Sequence, residues 1–245
     1  MTIELYNSPE VKITVIYDNR IDQPILQEGW GFSSLIEYKG KKILFDTGGN
    51  SAAFFSNMEK LKIAWEEIDY VLFSHKHWDH VAGFEEVLKK LHKKTRVYLP
   101  KFFPRSLIKK IPKALEHKIV KSFAEIDTAI YSLVLRGGLF LYEQSLILNT
   151  SKGLVVLTGC AHPGILNILK TAKKKLPNAI DLVIGGFHLL RTPKNLCAEI
   201  VQEFQNLEIK KVAPCHCSGD QTISQFQETY RSNFLKVGTG TVLIS

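Results

Sequence analysis

The chain has 245 residues, 45% of them apolar and 23% charged, which is enough for one large buried core and short for two. No apolar run approaches the roughly 20 residues of a membrane span, and the composition reads as an ordinary soluble globular protein. The net charge of +8 is concentrated: residues 89–121 hold 12 of the 32 basic residues against one acid, Glu116, and the remaining 20 bases nearly balance 23 acids.

Residues 1–10 carry an acid and no apolar core, so they do not read as a signal peptide, and a cytoplasmic location is the default expectation. Residues 11–17 are a β-branched run that reads as a strand. Residues 32–38 and 41–45 are two more, joined by Lys39-Gly40 into a hairpin that ends in the turn sequence Asp46-Thr47-Gly48-Gly49. Residues 51–61 carry apolar side chains near helical spacing, with Ser51 placed as a cap. Residues 70–73 fit a short buried strand, and a histidine cluster follows at once.

Residues 82–92 read as a helix, with Phe84, Val87, Leu88 and Leu91 on one face. Residues 96–99 are a strand. Residues 100–121 are broken by Pro100, Pro104 and Pro112, and loops with a short helix are expected there. Residues 133–135, 139–143 and 145–149 read as meandering strands, 154–158 as a buried strand and 165–175 as a helix. Residues 182–184 and 211–213 repeat the strand role around a helix over 195–205. A last helix over 221–229 and a strand over 242–244 close the chain. With no internal repeat or low-complexity linker, a single four-layer domain over 1–245 accommodates this order, helices outside two packed sheets, with a basic segment inserted at about 89–121.

The stretch Ser74-His75-Lys76-His77-Trp78-Asp79-His80 sets four potential metal ligands, His75, His77, Asp79 and His80, within six residues. They come directly after a strand, where a loop can gather them around one point. Neutral imidazole suits zinc, iron, manganese and nickel, and a carboxylate adds charge and hardness. A solvated histidine cluster is the bland alternative, but this spacing is far more specific than a lone histidine.

The HxHxDH run resembles the signature of the metallo-β-lactamase superfamily. Phe45-Asp46-Thr47-Gly48 precedes it, Thr158-Gly159-Cys160-Ala161-His162 follows at a strand end, and Pro214-Cys215-His216-Cys217 comes near the C-terminus, in the order that family shows. The resemblance runs from about Val11 to the end and implies an αββα sandwich with metals at one edge. It implies that His75, His77 and His162 hold a first ion, and Asp79, His80 and His216 a second. Asp46 would accept from a ligand imidazole and orient it, or would simply form the turn.

One departure matters. The family usually places a bridging aspartate at a strand end between the last two ligand histidines, and here that stretch reads Ile184-Gly185-Gly186-Phe187-His188-Leu189. Imidazole has one free lone pair and does not bridge as a carboxylate does. His188 is therefore read three ways: ligand of one metal, contact to substrate, or structural histidine. Asp79 and His188 are the candidate catalytic residues.

The strings around Gly159 to Ile165, Gly185 to Leu189 and Cys215 to Cys217 are similar to one branch of the superfamily. That branch includes the archaeal dihydropterin–ribofuranosylaminobenzene phosphate synthases. It implies a metal-dependent transferase or hydrolase acting on an anionic, phosphorylated or pterin-like small molecule. One or two divalent ions are implied, zinc first, with manganese, iron and magnesium as alternatives. A hydrolase of phosphodiesters, thioesters or lactones would use the same site, and a non-catalytic metal-binding module is a further rival. Nucleic acid and membrane are not expected partners, and a homo-oligomer is left open. The basic segment reads first as a solvated lysine-rich face, with a platform for an anionic substrate as the functional alternative.

None of the four cysteines forms a CxxC pair, which argues against a zinc ribbon or a thioredoxin-type site. On an extended strand, Cys215 and Cys217 would point away from His216 and act as small buried hydrophobes. Cys160 would share the side of His162, as packing or as a soft ligand. Trp30, Trp78, Phe102 and Phe103 are candidates for an aromatic wall against a flat heterocycle, with ordinary packing as the alternative.

Overall fold

In a computed structural model that describes residues 10–245, the β-branched runs fall into two sheets. The reading of the first nine residues as lacking a leader lies outside the described residues. A seven-stranded sheet contains β1 (Val11–Tyr17), β2 (Ser33–Tyr38), β3 (Lys41–Phe45), β4 (Tyr70–Leu72), β5 (Arg96–Pro100), β6 (Glu116–Val120) and β13 (Val242–Ile244), in the order β13-β1-β2-β3-β4-β5-β6. A six-stranded sheet contains β7 (Phe123–Asp127), β8 (Ile130–Gly138), β9 (Leu141–Thr150), β10 (Gly153–Thr158), β11 (Ile180–Gly186) and β12 (Lys211–Cys215), in the order β12-β11-β10-β9-β8-β7.

The period of two along a strand sorts side chains onto opposite faces. In β10, Val155 and Leu157 face the core between the sheets, where they meet Ile43, Phe45 and Leu72 of the other sheet. Leu154 and Val156 face outward, against Ile165, Ile168 and Leu169 of α5 (Ile165–Lys175) and Phe204 of α6 (Lys194–Asn206), with Phe226 of α7 (Asp220–Tyr230) in the same cluster. On the far side, Leu44, Val71 and Val97 pack against Phe54 and Met58 of α1 (Ser51–Lys60) and Phe84 and Val87 of α3 (Phe84–Lys90). Strands buried on both faces explain the continuous apolar runs of the sequence. The layers are the αββα sandwich that the sequence implied. Among the described residues, no helix is long and apolar enough to cross a membrane.

Several elements differ from the sequence reading. Asn50, not Ser51, caps α1, its Oδ1 accepting the Ala53 N–H at 3.0 Å. The expected helix over 82–92 is shortened to Phe84–Lys90 because Gly83 interrupts it, and the ligand motif itself turns into a short helix, α2 (Trp78–Val81). The basic stretch has the expected short helix, α4 (Arg105–Ile108), but then adds β6, an exposed strand parallel to β5 whose polar sequence disguises it. Strand β7 was not expected either. Where two strands were expected over 139–143 and 145–149, β9 runs unbroken over Leu141–Thr150, because the buried Gln144 is no turn residue: its Nε2 donates to the Phe73 and Tyr98 carbonyls at 2.7 and 2.8 Å.

Strands β3, β4, β5 and β6 run parallel, as do β10, β11 and β12. Their carboxyl ends open on one edge of the sandwich, the place where sheets of this kind bind ligands.

Candidate metal centre

Most side chains of the centre are delivered by a strand end followed by a sharp turn, while Asp79 and His80 lie on α2. His75 and His77 follow β4, His162 follows β10, His188 follows β11 and His216 follows β12. After four strands the chain turns through a non-glycine residue with positive φ: Asp46 (58°) after β3, Ala161 (63°) after β10, His188 (56°) after β11 and His216 (49°) after β12. This left-handed backbone costs such a residue of order 1 kcal/mol. The reversal throws the loop back over the strand ends.

The imidazoles of His75, His77 and His162 form a near-equilateral triangle, with ring centroids 4.6, 4.7 and 4.7 Å apart. The His80 ring lies 4.3 Å from that of His75, and the His216 ring 5.1 Å from that of His80. Two groups of ligand atoms result, each within 4.8 Å of one another: His75, His77 and His162, and beside them Asp79, His80, Cys160 and His216. Every sequence-predicted ligand is thus brought together. The exposed His188 sits at the rim, its ring 4.4 Å from that of His162, and its ligand nitrogen groups with Cys160 and Cys217.

Hydrogen bonds fix which ring nitrogen faces inward. Asp46 Oδ2 accepts from Ser74 Oγ at 2.5 Å, so Ser74 Oγ in turn accepts from His75 Nδ1 at 2.9 Å. The same Asp46 oxygen accepts from His80 Nδ1 at 2.7 Å, and Oδ1 accepts the Ser74 N–H at 2.6 Å. Glu143 Oε2 accepts from His162 Nδ1 at 2.8 Å, and Asn19 Oδ1 from His216 Nδ1 at 2.9 Å. An imidazole that donates through Nδ1 keeps its Nε2 lone pair free. Four rings therefore turn Nε2 toward the centre, and His75 Nε2 is buried with no hydrogen-bond partner at all. An orphaned acceptor of this kind costs about 1–3 kcal/mol in a dry site, and a cation in contact with it removes that cost. The residues present fit a divalent metal.

The electrostatics follow. Burial pushes His75 well below the ordinary histidine range, keeping it neutral. Burial also opposes charge on His80, but the adjacent Asp46 carboxylate outweighs it and holds the ring up to about 9, so an ion binding at Nε2 displaces a proton there. Burial alone would raise the Glu143 carboxyl; its nearness to the His75 and His162 rings and the His162 hydrogen bonds hold it well below the usual carboxylate range. Asp79 is lowered too: its burial is outweighed by His216 and His80. Trp30 Nε1 donates to Asp79 Oδ2 at 2.9 Å and holds that carboxylate in place.

Sequence reasoning missed several of these partners. Glu143 is fully buried in β9 and accepts the Cys160, Ala161 and His162 backbone N–H groups at 2.8, 2.7 and 2.9 Å. A lone acid in an apolar strand was its only signal. Asp18 and Asn19 come from the end of β1, with Asp18 Oδ2 accepting the His216 N–H at 3.0 Å. The expectation for Cys217 also fails. Residues His216–Ser218 form a 3-10 turn rather than extended strand, so alternation no longer applies and Cys217 faces Cys160 and His188. Cys215 stays buried in the core between the sheets as expected. Of the aromatic candidates, Phe103 is core, packed on Phe73 and Phe84. Trp78, Trp30 and Phe102 are exposed. Phe102 pairs with Tyr142 at 5.3 Å, and Lys101 Nζ lies 5.2 Å from the centroid of each ring.

The ligand motif, the strand order and the sandwich define a class. The chain belongs to the metallo-beta-lactamase superfamily, whose family model matches residues 28–216. It is 27% identical to the 7,8-dihydropterin-6-methyl-4-(beta-D-ribofuranosyl)-aminobenzene-5'-phosphate synthase of Methanocaldococcus jannaschii, over 89% of this chain and 90% of that one. A solved metal-dependent hydrolase of the beta-lactamase superfamily superposes with a TM-score of 0.80 at 28% identity, covering 96% of this chain and 99% of that one. A metallo-beta-lactamase fold protein from Bacillus subtilis shares the fold at a TM-score of 0.69 and 14% identity, covering 97% and 100% of the two chains.

Proposed function

We propose that the chain is a metal-dependent enzyme acting on a phosphorylated or pterin-like small anion. The observation that carries this reading is the set of four imidazoles with Nε2 turned inward, one of them buried and unpartnered. His75, His77 and His162 would hold one ion, and Asp79, His80 and His216 would take part in holding a second. The nitrogen-rich set favours zinc, with manganese, iron and magnesium as alternatives. A divalent ion bound there supplies Lewis acidity toward a phosphoryl or carbonyl oxygen.

The chain's own residues supply the rest. Asp79, fixed by Trp30, serves as a ligand or takes a proton. His188 stands exposed beside His162, where it contacts substrate. Lys101, Phe102 and Tyr142, at the end of β5 and the start of β9, offer a flat face and a positive charge, which suit a heterocycle carrying phosphate. The likeness to the pterin synthase over nearly the full length of both chains supports this substrate class.

A second reading, hydrolysis of a phosphodiester, thioester or lactone, draws support from the likeness to the solved metal-dependent hydrolase. The test is an assay of the metal-loaded chain on a pterin pyrophosphate with a ribofuranosylaminobenzene phosphate, run beside a panel of those three ester classes. Coupled pterin product that disappears on chelation is the expected result. Turnover of the ester panel alone selects the hydrolase. A metal-loaded chain inert on every substrate favours a non-catalytic module.

A further inference from the structure

We infer that Cys160 is a metal ligand, and that its thiolate closes a four-ligand site with Asp79, His80 and His216 while the three-imidazole site beside it stays open. This rests on the metal-centre reading above and deepens it.

The distances carry the inference. Bonds of about 2.0–2.2 Å to nitrogen and oxygen and about 2.3 Å to sulfur put neighbouring ligand atoms of a tetrahedron about 3.3–3.6 Å apart. Cys160 Sγ lies 3.1 Å from His80 Nε2 and 3.4 Å from His216 Nε2. Asp79 Oδ2 lies 3.4 Å from His216 Nε2 and 3.9 Å from His80 Nε2. These four separations bracket the edges of such a tetrahedron, and all four ligand atoms lie within 4.8 Å of one another. All four residues are buried. Their positions are fixed from outside: Asp46 holds His80, Asn19 holds His216, Trp30 holds Asp79, and Glu143 accepts the Cys160 N–H.

No carboxylate from the end of β11 can take the place of the thiol. A Cβ added at Gly186 would lie 2.4 Å from the Gly159 carbonyl oxygen and 2.6 Å from Cys217 Sγ. Cys217 is not the ligand, since it groups with His188 and Cys160 and not with Asp79, His80 or His216. Four protein ligands make a closed site, whereas three leave a coordination position for substrate. The open position therefore belongs to His75, His77 and His162, and His188 stands at its edge.

The test uses cobalt(II) as the probe, added to the metal-free full chain. Wild-type protein is expected to take up two ions and to show the intense near-ultraviolet thiolate-to-cobalt charge-transfer band. Cys160→Ser should lose the band and retain one ion, while Cys217→Ser and Cys215→Ser should keep the band. X-ray absorption of the zinc-loaded wild type checks this without any variant: one sulfur at about 2.3 Å is expected. Cobalt bound through nitrogen and oxygen alone, or a band that survives Cys160→Ser, overturns the inference and leaves the metal centre standing. A chain that binds no cobalt overturns both.

Discussion

Each inward-facing imidazole is set by the partner on its outer nitrogen, so the partners are the residues to test. Glu143→Gln replaces an acceptor-only carboxylate by an amide that cannot satisfy three backbone N–H groups and His162 Nδ1 at once. Metal affinity is expected to fall about 10–100-fold, and stability by about 1–3 kcal/mol, read by chelator competition and urea unfolding. Wild-type affinity in this variant would remove Glu143 from the centre. Asp46→Asn is expected to weaken metal binding to a similar extent, because Oδ2 serves both Ser74 and His80. At this scale the sequence was legible where ligands fall in one motif or at recognisable strand ends. Asn19, Trp30 and Glu143 were not legible, because each reaches its ligand from a distant part of the chain and no local spacing marks it.

Strand ends and the turns after them form the next level. The glycine pair closing β11 is one such turn, and Gly186 has no room for a methyl group against the Gly159 carbonyl oxygen and Cys217 Sγ. Gly186→Ala should therefore cost about 1–3 kcal/mol, seen as a lowered thermal midpoint; an unchanged midpoint would show that the loops after β10 and β12 yield freely. Strands buried on both faces, such as β10 and β11, were legible as apolar runs. The edge strands β6, largely exposed, and β7, half-buried, were not, since a strand that packs weakly carries little hydrophobic pattern. Cys217 was misjudged for a related reason: alternation holds only while the chain stays extended, and at His216 it turns.

Across the whole molecule, the excess positive charge of the 89–121 segment is partly engaged at the surface. Several bases of the 89–121 segment engage exposed acids, including Lys110 with Glu85 and Arg96 and Lys118 with Glu116. Exposed pairs of this kind contribute little. Replacing the exposed Lys93, Lys94 and Lys113 by glutamine should leave stability within about 0.5 kcal/mol and metal uptake unchanged, as measured by urea unfolding and metal analysis. A large loss of either would tie the basic face to the fold or the centre. The central claim is that the strand-end histidines hold metal, and it is tested most directly by metal analysis after zinc loading and removal of excess. Wild-type protein should retain at least one zinc per chain, and the double variant His75→Ala, His162→Ala distinctly less; a wild-type chain that retains no zinc above the buffer would contradict the claim.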